Sequence, residues 1–208
     1  MSGQSSDRRV AAVAIGCSAG GIEALSTLLP AFHHDCGVAV LVVVHLPRER
    51  PSRLVDVFER KCHLAVSEAE DKEPIQAGKL YFAPPDYHLL VDDGPRLALS
   101  VDELVHYSRP AVDVLFESAA DAYGAELMAI VLSGANEDGA SGLAAVERAG
   151  GLTLVQQPET AVATAMPSAA LAATRHSRVL DLAGIADVLR TLRGGLCPTG
   201  AFEQRTSR

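Results

Sequence analysis

The chain alternates short, continuous apolar runs with stretches in which apolar residues recur every three or four positions. Val10-Ala-Ala-Val-Ala-Ile15 is apolar throughout and ends at Gly16, the pattern of a parallel strand buried on both faces. Ile22, Leu25, Leu28 and Leu29 follow at helical spacing, and Pro30 stands where that helix must stop. Val38 to Val44 predicts a second buried strand, ended by His45-Leu46-Pro47, and Leu54, Val55, Val57 and Phe58 open another helical stretch. Strand, helix, strand, helix in that order predicts a parallel sheet covered by helices.

The middle third breaks the alternation. Lys79 to Ala83, Tyr87 to Val91 and Arg96 to Leu99 are short apolar runs, and Asp92-Asp93-Gly94-Pro95 between the last two reads as a hairpin loop. An antiparallel excursion at the sheet edge is therefore expected here. Alternation then resumes: Val112, Leu115, Phe116 and Ala119 mark a helix, Leu127 to Leu132 a strand, Leu143 and Val146 a helix, Leu152 to Val155 a strand. Pro167 suits the first turn of an Ala-rich helix, Val179-Leu180 a last strand, and Ile185, Val188, Leu189 and Leu192 a final helix. The predicted fold is α/β, a doubly wound and mostly parallel sheet flanked by helices with an antiparallel hairpin at one edge. Residues 1–9 read as a disordered tail, 10–193 as one domain and 194–208 as a flexible tail.

Composition narrows the function. The 208 residues are 48% hydrophobic and 21% charged, enough apolar surface for one core. The net charge of −8 and an aromatic content of 4% with no Trp argue against nucleic acid, whose phosphates need cations and whose bases need stacking partners. The longest apolar run falls well short of the roughly 20 residues a membrane helix needs, and the polar N-terminus does not lead into a signal-peptide cleavage site. A cytoplasmic location without membrane insertion follows as the expectation. The four cysteines show neither a CxxC pair nor a His/Cys cluster, so free thiols are expected rather than disulfides or zinc.

In an open parallel sheet, sites form beyond the carboxyl ends of the strands. Three such ends carry reactive side chains: Gly16-Cys17-Ser18-Ala19-Gly20-Gly21, His45, and Ser133-Gly-Ala135-Asn-Glu137-Asp138-Gly139. The first fits G-x-S-x-G, in which glycines let a tight strand-to-helix turn project a serine hydroxyl beside free backbone N–H groups. The same pattern also serves as a glycine turn with an N-capping serine. His45 separates the readings, because a dinucleotide site would carry an acidic residue there and a glycine at position 18. An imidazole titrates near neutrality and can take and return a serine proton, although a lone histidine is more often structural. Asp138 could hold that imidazole in its working tautomer, or merely cap the helix that follows it.

Six blocks then occur together in one order: Gly16-Cys-Ser-Ala-Gly-Gly21, Val44-His-Leu-Pro47, Tyr81-Phe-Ala-Pro84, His106 with Arg109-Pro110-Ala-Val-Asp-Val-Leu-Phe116, Leu132-Ser-Gly-Ala-Asn-Glu-Asp-Gly-Ala140, and Met166-Pro167. Over about Val10 to Leu192 the sequence resembles the catalytic domain of the chemotaxis protein-glutamate methylesterases, the CheB type. The resemblance implies hydrolysis of γ-glutamyl methyl esters on the cytoplasmic helices of methylated chemoreceptors, releasing methanol, with deamidation of receptor glutamines in some members. It implies Ser18 as nucleophile, His45 as base and Asp138 as its partner, with no metal or organic cofactor. Ala19 and Ala135 stand where the family commonly has threonine and methionine, so any oxyanion role there falls to the backbone. His106 is a candidate for lining the cleft, and Glu137 places a like charge beside Asp138.

Other histidines are expected to play no part: His33, His34 and His63 in solvated loops, His88 on the hairpin surface. The mixed-sign run Glu68 to Glu73 is expected to be solvated. Many family members carry a receiver before the catalytic part, which needs roughly 100 residues. A resemblance that starts at Val10 predicts a stand-alone domain, constitutive or governed by a separate regulatory protein. A serine esterase or amidase with another substrate, and a non-catalytic receptor-binding scaffold, remain alternatives.

Overall fold

The computed structural model describes residues 7–46 and 52–198. Pro47 and the outer parts of both expected tails lie outside them. Seven strands form an all-parallel sheet: β2 (Ala12–Cys17), β3 (Ala39–Val44), β4 (Ala65–Glu68), β5 (Lys79–Phe82), β8 (Leu127–Val131), β9 (Leu152–Gln156) and β10 (Arg178–Leu180). Their order is β10-β9-β8-β2-β3-β5-β4. The chain builds outward from β2 in one direction, then returns to its other side with β8. The topological switch point therefore lies beyond the carboxyl end of β2, the place where ligands bind in such sheets.

Both faces are covered. Val13 and Ile15 of β2 point to one side, with Leu25 and Leu28 of α1 (Gly21–Leu28), Leu54 and Phe58 of α2 (Leu54–Phe58), and Ile185 and Leu189 of α6 (Leu182–Thr191). Ala12 and Ala14 point to the other, with Leu115 and Phe116 of α3 (Val112–Tyr123), Leu143 and Val146 of α4 (Ala140–Arg148), and Met166 and Ala170 of α5 (Ala165–Ala173). Every β2 residue is buried, as its unbroken apolar run required.

Three features differ from the sequence reading. Lys79–Phe82 is an interior strand parallel to both β3 and β4, not part of the antiparallel excursion. The hairpin of β6 (His88–Asp92) and β7 (Arg96–Ser100) forms as its own two-stranded sheet. Its Leu89, Val91 and Leu97 join the core under α3, and Leu97 hydrogen-bonds Lys72 and Glu73 just beyond the edge strand β4. The expected tails are partly ordered: β1 (Arg8–Arg9) pairs antiparallel with β11 (Leu196–Cys197), and the Gly195 N–H donates to Cys36 O at 2.8 Å.

Close approach of α3 to the sheet depends on Gly16. A Cβ there would lie 2.2 Å from Cγ1 of Val112, the first residue of α3. Gly16→Ala is expected to lower stability by about 1–3 kcal/mol through overpacking. Gly16→Ala combined with Val112→Ala should recover part of that loss, both read as urea midpoints at unchanged m-value. A Gly16→Ala protein as stable as wild type would contradict this packing.

Candidate active site

Ser18 is the first residue after β2. Its N–H donates to Ser133 O at 2.9 Å, joining the end of β2 to the segment after β8, and its carbonyl accepts from Gly21 N–H at 2.8 Å. The turn enters α1 through Gly20, at φ +78°, where a Cβ would also sit 2.6 Å from that of Val162. Gly20 is the N-cap and no side chain caps α1, so Ser18 does not have the capping role its pattern allowed. Cys17 precedes it, but burial pushes that thiol up to about 12, leaving hydroxyl rather than thiolate as the available nucleophile at this strand end.

His45 follows β3, and its N–H donates to Cys17 O at 3.1 Å, extending the β2–β3 ladder by one rung. That rung sets the imidazole beside Ser18. Both line a cleft of about 380 Å³ with Ala19, Gly20, Ile22 and Leu46. His45 Nε2 lies 2.7 Å from Asp138 Oδ2. With the carboxylate accepting there, the neutral ring carries its proton on Nε2 and its lone pair on Nδ1. Ser108 Oγ is 3.4 Å from Nδ1. Among the described residues no hydrogen bond links Ser18 Oγ to the ring.

Asp138 is completely buried. Its Oδ2 also accepts from Val112 N–H at 2.7 Å, and its Oδ1 accepts from Asp113 N–H at 2.9 Å. It therefore caps a helix, but α3 rather than the one that follows it. Ala111 provides no side-chain cap of its own, and the positive end of the α3 dipole faces the carboxylate.

The remaining candidates divide. Ala19 lines the Ser18 cleft, while Ala135 is exposed in the loop after β8. His106 lies on the other side of Asp138: Nε2 is 3.3 Å from Asp113 Oδ2 and Nδ1 is 3.5 Å from Glu137 Oε1. It lines a second cavity with Glu103, Leu104, Tyr107 and Arg109. His88, expected on the hairpin surface, is buried between the Glu103 carbonyl and the Ala111 N–H.

Sequence reasoning gave no role to four further residues. Asp113 is buried beneath His106 and accepts from Gly142 N–H at 2.7 Å; burial, then the nearby Asp138, raises its pKa. Ser108 sits against the imidazole. Ser133 Oγ donates to Ala19 O at 2.6 Å and accepts from Ala163 N–H at 2.9 Å, while Gln156 Oε1 holds the Ser133 N–H. Ser133 stands at a strand end and was findable on that ground. The others meet the site only through long-range packing.

Fold and site together define a doubly wound α/β domain with polar side chains gathered at its switch point. Residues 13–189 match the CheB methylesterase family, and the chain belongs to it. It is 41% identical, over 85% of its length and 92% of the relative's, to a Leptospira interrogans protein provisionally named protein-glutamate methylesterase/protein-glutamine glutaminase. A Symbiobacterium thermophilum protein named protein-glutamate methylesterase/protein-glutamine glutaminase is 37% identical over 85% of this chain, which spans only 49% of that relative. The catalytic domain of Thermotoga maritima CheB methylesterase superposes with a TM-score of 0.81 at 30% identity, covering 87% of this chain and 97% of that one.

Because Asp138 satisfies two buried N–H groups of α3, Asp138→Ala is expected to cost about 3 kcal/mol of stability, whatever its chemical role. Asp138→Asn keeps one acceptor oxygen and should lose less. Urea unfolding checks both, and an alanine variant with wild-type stability would contradict the cap.

Proposed function

We propose that the chain is a serine-dependent protein-glutamate methylesterase acting on methylated chemoreceptors in the cytoplasm. The observation that carries this reading is the buried Asp138 bonded to His45, whose imidazole shares one cleft with Ser18. Family membership supports the substrate class.

In the proposed reaction, Ser18 Oγ attacks the γ-carbonyl carbon of a glutamyl methyl ester while His45 Nδ1 takes the hydroxyl proton. Asp138 keeps the ring's other proton on Nε2 and stabilises the imidazolium. The backbone N–H groups of Ala19 and Gly20 have no acceptor among the described residues and stand at the start of α1. They are the donors we infer for the tetrahedral oxyanion, together with the N–H of Ala135. Alanine at positions 19 and 135 leaves that chemistry available. His45 then returns the proton to the departing methoxide, releasing methanol. Water, deprotonated by the same imidazole, attacks the acyl-serine and frees the glutamate carboxylate. The same steps on a glutamine side chain release ammonia, matching the double name the relatives carry. Ser18 and His45 approach each other as substrate fills the cleft, since such contacts often tighten only in the complex.

The test is release of labelled methanol from a methylated receptor cytoplasmic fragment. Ser18→Ala is expected to lower the rate by about 10⁴-fold or more, and His45→Gln by a similar factor. Release from Ser18→Ala at the wild-type rate would overturn the reading.

A further inference from the structure

One residue of the segment after β8 grips the nucleophile turn at two successive points. The Ser133 carbonyl accepts from Ser18 N–H at 2.9 Å, and the Ser133 hydroxyl donates to Ala19 O at 2.6 Å. The backbone on both sides of the Ser18–Ala19 peptide is thereby tied to the same place. A trans peptide is planar, so holding the Ala19 oxygen on Ser133 turns the Gly20 N–H of that unit to the opposite side. Gly20 itself lines the Ser18 cleft. The turn's own residues do not fix this orientation, because Gly20 and Gly21 are conformationally permissive.

Ser133 is able to fix it because its own polar atoms are held. The residue is buried, and its N–H donates to Oε1 of the buried Gln156 at 2.9 Å. Gln156 Nε2 in turn donates to Thr160 O at 3.2 Å. The Ser133 hydroxyl accepts from Ala163 N–H at 2.9 Å, and its single proton goes to Ala19 O at 2.6 Å rather than to the more distant Ala163 O at 3.3 Å. Glycine at position 20 lets the turn close onto this hydroxyl, since a Cβ there would lie 3.0 Å from Ser133 Oγ. Donors aimed at a developing oxyanion act through being oriented before the charge appears.

We infer that Ser133 is a positioning residue for the reaction at Ser18: its hydroxyl, through the Ala19 carbonyl, aims the Gly20 N–H at the oxyanion, and its carbonyl fixes the backbone from which Ser18 projects. The inference rests on the esterase reading of Ser18 and His45. With methylated receptor fragment, Ser133→Ala is expected to lower kcat about 100-fold at unchanged KM, the scale of a small misplacement of catalytic groups. Inhibition by a peptide carrying a trifluoromethyl ketone in place of the ester, which adds Ser18 Oγ and forms the oxyanion, should weaken by the same factor. Kd of the methylated fragment for Ser18→Ala should be the same with and without Ser133→Ala. Ser133→Thr keeps the hydroxyl and should keep most of kcat. Urea unfolding checks that Ser133→Ala is folded, and Ser133→Cys, which holds the volume with a weaker donor, carries the same expectations if it is not. Wild-type kcat in the folded variant, a loss of kcat matched by an equal loss in Kd, or a Ser133→Thr protein as slow as Ser133→Ala would overturn the inference. The two readings fail separately: methanol release that ignores Ser18 removes the esterase reading and the inference with it, whereas release that needs Ser18 but ignores Ser133→Ala removes only the role of Ser133.

Discussion

A carboxyl group with no exposed surface needs a donor at each oxygen, and the placement of Asp138 follows from that requirement. Its three partners are the first two N–H groups of α3 and the ring of His45. Supplying them brings three separate parts of the chain together: the loop after β8, the start of α3, and the end of β3. α3 can come near enough only because Gly16 below and Gly139 beside it leave room for Val112, whose Cγ1 would lie 2.7 Å from a Cβ on Gly139. Packing of small residues around one valine thus decides whether a buried carboxyl group can hold an imidazole.

The Ser18 side of the cleft is fixed by a different device. Ser133 is held through its N–H by Gln156 and through its hydroxyl by Ala19 and Ala163. These bonds run from β9 through the end of β8 into the turn that carries Ser18. The serine is thereby anchored to the half of the sheet containing β8 and β9, and the imidazole to β3 and α3. Ser18 and His45 meet over β2 and β3, whose register is locked by unbroken parallel pairing.

Much of this was legible from residues alone, for a physical reason. Parallel strands buried on both faces must be continuously apolar, so β2, β3, β8 and β9 announce themselves, and the polar residue that ends each run falls on the same edge of the sheet. Ser18, His45 and Asp138 were singled out on that basis, before any contact between them was visible. The missed elements lack the signal. β4 is a four-residue, half-exposed edge strand with no apolar run, and β1 and β11 are two residues each, ordered by pairing with one another. β5 was visible as a strand, but its short run next to a hairpin loop concealed its parallel partners. Asp113, Ser108 and Gln156 acquire meaning only from neighbours far along the chain, which no local pattern encodes. His88 was misplaced because a histidine at the start of a hairpin strand looks like surface until the 101–111 loop is seen to fold over it.

The positions around the cleft differ in how far chemistry and stability can be separated. Asp138 cannot lose its carboxylate without releasing the start of α3, so activity lost there says little about proton transfer alone. Ser18 caps nothing and no hydrogen bond among the described residues holds its hydroxyl, so its side chain contributes little to the fold. Among the described residues local sequence and global fold agree nearly everywhere; the non-glycine residues at positive φ are Lys72, Asp86, His106 and Tyr107, and the last two adjoin Ser108, whose hydroxyl reaches His45. Backbone of that kind persists only where the surrounding structure enforces it, and beside His45 the enforcing groups are Arg109, bonded to the Val101 and Asp102 carbonyls, and Asn136, bonded to the His106 carbonyl.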